Sequence, residues 1–136
     1  MPGASYLQAD MDSGQVLAAK APHAAHLPAS TLKRLTALTV IPLLDPNTKI
    51  LVRPQDVNVD RTRYGILTGT SYSVGTLLQG MLVTSGNDAA NALARGNQSE
   101  AVTLQEMNAT AAGLHASDTV AMDPSGLDKA GQQSSA

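Results

Sequence analysis

At 136 residues the chain has the length of one ordinary domain, and its 43% apolar content can build a core from Leu, Val, Ile, Met and Ala, with three Tyr and no Phe or Trp to add. A formal charge of −2, with acidic and basic residues spread singly, leaves no electrostatic footprint for nucleic acid or an anionic membrane. The lack of cysteine excludes disulfides, thiolate nucleophiles and Cys-ligated metals without deciding the redox compartment, no run approaches the roughly 18 apolar residues of a bilayer span, and Met1-Pro2-Gly3-Ala4-Ser5 does not read as an export signal.

Tyr6 to Met11 and Gln15 to Ala19, separated by the turn cluster Asp12-Ser13-Gly14, predict an antiparallel hairpin. Ala21 to Ala29 carries two prolines and no period and reads as an irregular connection. A helix is predicted from Ser30 through Leu32, Leu35, Leu38 and Ile41 to Pro42, apolar on several sides and therefore central. Asp45-Pro46-Asn47 is a turn, and the segment to Thr70 mixes β-branched residues with Pro54, Gly65 and Gly69, which suggests short extended pieces. From Ser73, a predicted N-cap, residues Val74, Leu77, Leu78, Met81 and Leu82 follow the i, i+3, i+4, i+7, i+8 template of an amphipathic helix. Thr84-Ser85-Gly86-Asn87 interrupts it, so Ser85 and Asn87 are expected in a break, and Asp88 to Ala94 resumes helical composition. Leu104, Met107, Ala111 and Leu114 predict a further helix from about Ser99 to Gly113, stopped by glycine, before a turn-rich end.

The stretch Pro28-Ala29-Ser30-Thr31-Leu32-Lys33 carries the first chemistry. Positions i and i+3 share a helix face, so Lys33 can set its amine beside the Ser30 hydroxyl. A serine in a first helical turn offers a backbone N–H without an intrahelical acceptor and the positive end of the dipole, both suited to an oxyanion. Lysine acts as a base only when its pKa falls from about 10.4 toward ~7–8, which desolvation on an inward-facing helix supplies. Ser-x-x-Lys by itself equally fits an N-cap followed by a solvated lysine. A second polar cluster, Ser85-Gly86-Asn87, adds a hydroxyl and an amide on one side of a short turn, groups able to relay a proton and hold a substrate amide.

With these two clusters the chain resembles the penicillin-binding serine D-alanyl-D-alanine carboxypeptidases. PASTLKRLTAL resembles the family's nucleophile helix, LLQGMLVTSGNDAANALA its second motif, and DPSGLD a segment further on, in matching order and over nearly the whole chain. The resemblance implies an α+β fold of the β-lactamase/DD-peptidase type: a helical subdomain with the first strands of an antiparallel sheet, the sheet incomplete. Carried over by position, it makes Ser30 the nucleophile, Lys33 its general base, Ser85 the proton relay to the leaving amine, and Asn87 a partner of the substrate and of Lys33. It implies acyl transfer on peptidoglycan stem peptides ending in D-Ala-D-Ala, inhibition by β-lactams, no cofactor or metal, and a location at the outer face of the bacterial cytoplasmic membrane or in the cell envelope.

Two departures qualify the resemblance. No Lys-Thr-Gly occurs, so residues 1–136 are expected to be a partial catalytic domain ending before the third motif and nearly inactive alone, because a missing oxyanion donor costs about 10²–10³ in turnover. Arg34 stands where a small or apolar residue is more usual. Alternative readings are a non-catalytic wall-peptide-binding or scaffold homologue, and a class A β-lactamase relative, for which Glu100 and Glu106 are the only glutamates. His23 and His26 read as loop residues rather than metal ligands, His115 as a residue favouring a helix C-terminus. The sequons at Asn97 and Asn108 receive no functional role.

Overall fold

The computed structural model describes residues 3–136. Strands β1 (Tyr6–Ala9) and β2 (Val16–Lys20) pair antiparallel, from Tyr6 opposite Lys20 to Ala9 opposite Val16, with an irregularity between Gln8 and Ala9. Asp10 closes the hairpin by accepting from the Ser13 N–H at 2.8 Å, and Gly14 takes the positive φ of 71° that the turn needs. A 3₁₀ turn (Ala29–Leu32) then runs straight into α1 (Lys33–Val40), capped by Ile41 ahead of Pro42.

The segment expected to hold short extended pieces up to Thr70 does hold one, with a helical turn besides, and a further short strand follows it. These are β3 (Lys49–Leu51), a single helical turn α2 (Pro54–Val57) and β4 (Ser71–Ser73), and β3 and β4 form a second antiparallel pair with Ile50 opposite Tyr72. Strands this short pair across some twenty residues of loop, so no local alternation announces them. Ser73 caps α3 (Val74–Val83) by accepting from the Thr76 N–H at 3.1 Å, as expected. Helix α4 spans Asn87–Gly96, and α5 spans Glu100–Gly113 with Ser99 accepting from the Val102 N–H at 3.2 Å.

One expectation about helix ends is corrected and another refined. Asn87 does not lie in the break: Gly86 is the N-cap and Asn87 the first residue of α4. Helix α5 does end at Gly113 as expected, but its closure is not made by that glycine. His115 takes the left-handed conformation at φ 58°, with its N–H bonded to the Ala112 carbonyl and the Ala116 N–H to that of Ala111, a Schellman closure built on histidine.

Helix α1 lies between α5 on one side and α3 with α4 on the other. The main core joins Ala37 of α1 to Ile50, Val52, Ile66, Val74, Leu77, Met81 and the alanine-rich face of α4; a smaller cluster joins Leu32, Met107 and Ala121. The small side chains of Ala89, Ala90 and Ala92 are fully buried and permit close helix packing. The buried face of α1 differs from the apolar one read from the sequence. Lys33, Thr36 and Thr39 are buried, while Leu38 and Ile41 are each 55% exposed. The threonine hydroxyls are tolerated because they donate to carbonyls, Thr36 to Pro124 at 2.7 Å and Thr39 to Leu35 at 2.8 Å.

Candidate active site

Ser30 sits in the 3₁₀ turn immediately after Ala29, whose φ of 49° is unusual for a residue with a β-carbon. One turn on, Lys33 is only 2% exposed, and its Nζ lies 3.0 Å from Ser30 Oγ. The same nitrogen donates to Asn87 Oδ1 at 2.7 Å and to the Ser125 carbonyl at 2.7 Å. Its three partners match the three N–H donors of the ammonium, and once the proton facing Ser30 is lost the two carbonyl acceptors keep the remaining N–H bonds and the lone pair faces the serine hydroxyl. Burial pushes the Lys33 pKa below the ordinary lysine value, and the Asp123 carboxylate opposes part of that shift.

The α3–α4 corner supplies the opposite wall. Ser85 adopts φ 59°, and the Gly86 N–H bonds to the Gly80 carbonyl across the turn. Ser30, Lys33 and Ser85 line one cavity of about 260 Å³ with Met81 and Leu82. Asn87 lines a second cavity that also contains Ser30. Each end of the Asn87 amide has one protein partner, Oδ1 accepting from Lys33 and Nδ2 donating to the Asp60 carbonyl at 2.9 Å, and each end keeps capacity for a second hydrogen bond. The neighbouring Asp88 carboxylate accepts from the N–H groups of Tyr64 at 2.8 Å, Gly65 at 2.8 Å, Ile66 at 3.2 Å and Ala89 at 2.9 Å. It fastens the 60–66 loop to the head of α4, where the helix dipole favours a negative charge.

A third element was singled out in the sequence only as a resembling segment, with no role for its residues. In the 123–128 loop Asp123 Oδ1 accepts from the Ser125 N–H at 2.8 Å and the Leu127 N–H at 3.3 Å, which aims the Ser125 carbonyl at Lys33. Gly126, at φ 84°, lies against the turn that carries Ser30, so closely that a β-carbon there would stand 1.9 Å from the Ala29 carbonyl oxygen. The signal available in advance was Asp-Pro-Ser-Gly, a turn former whose glycine marks a close backbone approach.

Other singled-out residues have separate occupations. His23 pairs with Asp118 at 2.7 Å on the surface, and His26 Nε2 lies 2.9 Å from Ser5 Oγ. Asn97 is buried and hydrogen-bonded to Thr103 and Glu106, and Asn108 clamps the backbone of Ala121 through both ends of its amide. Glu106 is therefore engaged by Asn97, and Glu100 lies 3.8 Å from Lys129; neither glutamate lines the cavities that contain Ser30.

A helical body with small antiparallel pairs, and a serine and a lysine on the helix at its centre, defines an α+β protein of the DD-peptidase and β-lactamase-like fold. The chain belongs to the D-alanyl-D-alanine carboxypeptidase family, whose profile matches residues 2–136. It is 45% identical to the D-alanyl-D-alanine carboxypeptidase DacB2 of Mycobacterium tuberculosis over 96% of this chain and 45% of the relative, and 35% identical to DacD of Escherichia coli over 97% and 37%. Among solved structures, the D-alanyl-D-alanine carboxypeptidase from Mycobacterium tuberculosis superposes with a TM-score of 0.93 at 44% identity, covering 97% of this chain and 51% of that one. Penicillin binding protein 5 from Haemophilus influenzae superposes with a TM-score of 0.86 at 27% identity, covering 96% and 41%. The chain thus spans less than half the length of the curated relatives it matches.

Proposed function

We propose that this chain is part of the catalytic domain of a serine D-Ala-D-Ala carboxypeptidase that trims peptidoglycan stem peptides in the bacterial cell envelope, at the outer face of the cytoplasmic membrane, and that β-lactams acylate it. Ser30 Oγ attacks the carbonyl of the terminal peptide bond while its proton passes to Lys33 Nζ. The tetrahedral intermediate collapses as the C–N bond breaks, and the proton taken by Lys33 passes through the Ser85 hydroxyl to the leaving D-Ala amine, which returns Lys33 to its neutral form. Asn87 orients Lys33 and hydrogen-bonds the acyl-side amide. Water then attacks the Ser30 ester, gives its proton to Lys33, and the serine oxygen recovers one as the ester bond breaks. The Ser30 N–H, in the first turn of its helix, faces the developing oxyanion.

The observation that supports this reading best is the buried Lys33 amine 3.0 Å from the Ser30 hydroxyl, with two carbonyls occupying its N–H bonds. Burial lowers the pKa of a lysine so placed, and its position beside the hydroxyl suits removal of the serine proton. The test is labelling by a fluorescent penicillin of the protein at the full length of its relatives. Stable labelling that disappears in Ser30→Ala and slows by at least about 10² in Lys33→Ala is the expected result. Labelling that persists in Ser30→Ala refutes the assignment.

A further inference from the structure

The space around Ser30 has two lobes. One, toward Ser85 and Leu82, holds the group proposed to protonate the leaving amine. The other is lined by Ser30, Arg61, Thr62, Asn87, Leu127 and Asp128, and since Asn87 is proposed to hold the acyl-side amide, this lobe receives the part of the substrate that stays on the enzyme. It carries one cation and one anion. Among the described residues neither the Arg61 guanidinium nor the Asp128 carboxylate makes an ion pair, and neither side chain has a hydrogen-bond partner there. Of the other charged groups near the site, Lys33 is engaged with Asn87 and the Ser125 carbonyl, Asp88 with four N–H groups, and Asp123 with its own loop and with Lys129 at 3.5 Å, while Arg34, without a side-chain partner among the described residues, lines the lobe on the Ser85 side.

Both charged residues sit on anchored backbone. The loop of Arg61 is tied to the head of α4 on either side of that residue, by Asn87 Nδ2 donating to the Asp60 carbonyl at 2.9 Å and the Asn87 N–H donating to the Thr62 carbonyl at 2.9 Å. Arg61 itself is left-handed at φ 64°, a conformation that costs a non-glycine residue energy and that these two bonds impose. Asp128 ends the 123–128 loop, whose Gly126 is packed on the Ala29 carbonyl. The residue that holds the substrate amide therefore also fixes the cation, and the loop that orients the general base also carries the anion.

We propose that Arg61 and Asp128 form a specificity subsite for the acyl-side residue of the substrate, reading a side chain that ends in both an ammonium and a carboxylate, the chemistry of a diamino dicarboxylic acid. Arg61 takes the carboxylate through its planar donor fork and Asp128 takes the ammonium. This inference rests on the reading of Ser30 and Asn87 given above.

The test compares D-Ala release from three X-D-Ala-D-Ala peptides by the protein at the full length of its relatives, where X is diaminopimelyl (ammonium and carboxylate), lysyl (ammonium alone) or norleucyl (neither). The wild type is expected to favour diaminopimelyl over norleucyl in kcat/KM by about threefold to tenfold, as for solvent-accessible charge pairs, and to lose most of that preference in high salt. Arg61→Gln brings the diaminopimelyl-to-lysyl ratio to about one, Asp128→Asn brings the lysyl-to-norleucyl ratio to about one, and Lys49→Gln, the same charge loss on β3 outside both lobes, keeps the wild-type ratios. Ratios in Arg61→Gln and Asp128→Asn equal to those of the wild type overturn the subsite, as does a wild type without preference that still releases D-Ala and is labelled by penicillin, which leaves the catalytic reading standing. A wild type that neither releases D-Ala nor is labelled overturns both.

Discussion

Replacing Gly126 by alanine tests the docking of the 123–128 loop on the turn that carries Ser30. The new β-carbon is placed 1.9 Å from the Ala29 carbonyl oxygen and 2.6 Å from its carbon, both backbone atoms that cannot rotate away. Relief requires the loop or the turn to move by more than an ångström, and overpacking of this kind costs about 1–3 kcal/mol. The φ of 84° adds about 1–2 kcal/mol for a residue with a side chain. The sum, about 2–5 kcal/mol, lowers Tm by roughly 10 °C or more in a domain of this size. Gly131→Ala isolates the second contribution, because Gly131 has nearly the same φ, 86°, and its nearest heavy atom is Met122 Cγ at 4.0 Å. That variant loses only about 1–2 kcal/mol. Thermal melts followed by circular dichroism on the two variants and the parent measure the difference. Equal losses would refute the claim that this loop bears directly on the turn carrying Ser30.

Asp88→Asn leaves two of the four N–H groups now bonded to the carboxylate facing an amide NH₂; the expected loss is about 2–4 kcal/mol, read as a lower urea midpoint with an unchanged slope. The rate of penicillin acylation at full length rises with pH through the depressed Lys33 pKa and levels off before the ordinary lysine value is reached. The sign for stability follows from the same shift: between the depressed folded pKa and the ordinary unfolded one the unfolded chain binds more protons, so Lys33 contributes a stability that grows as pH rises through that window and is lost as pH falls. Denaturant titrations of the parent and of Lys33→Met, which removes the dependence, check this.

Much of the helical frame could be read in advance because its signals are local. Ser73 and Ser99 precede apolar residues at helical spacing, and both turned out to be caps. The β3–β4 pair escaped notice because each strand has three residues and its partner lies far along the chain. At the site, the approach of Lys33 to Ser30 was inferable from helix geometry, and its contact with Asn87 only from a resemblance. The Ser125 carbonyl could not be found by side-chain chemistry at all, since a backbone acceptor looks the same at every position. The buried threonines of α1 misled for a related reason: their hydroxyls are absorbed by carbonyls that only the folded chain brings near.

The Lys33 amine draws its two carbonyl acceptors from 54 and 92 positions further along the chain. Either lifting the α3–α4 corner or releasing the 123–128 loop would return it to bulk solvent, where an amine of ordinary basicity captures a proton at neutral pH. Under the proposed mechanism, partial opening therefore disarms Ser30 before the helices separate, and a nascent or half-unravelled molecule carries a quiet serine until both distant segments have closed over Lys33.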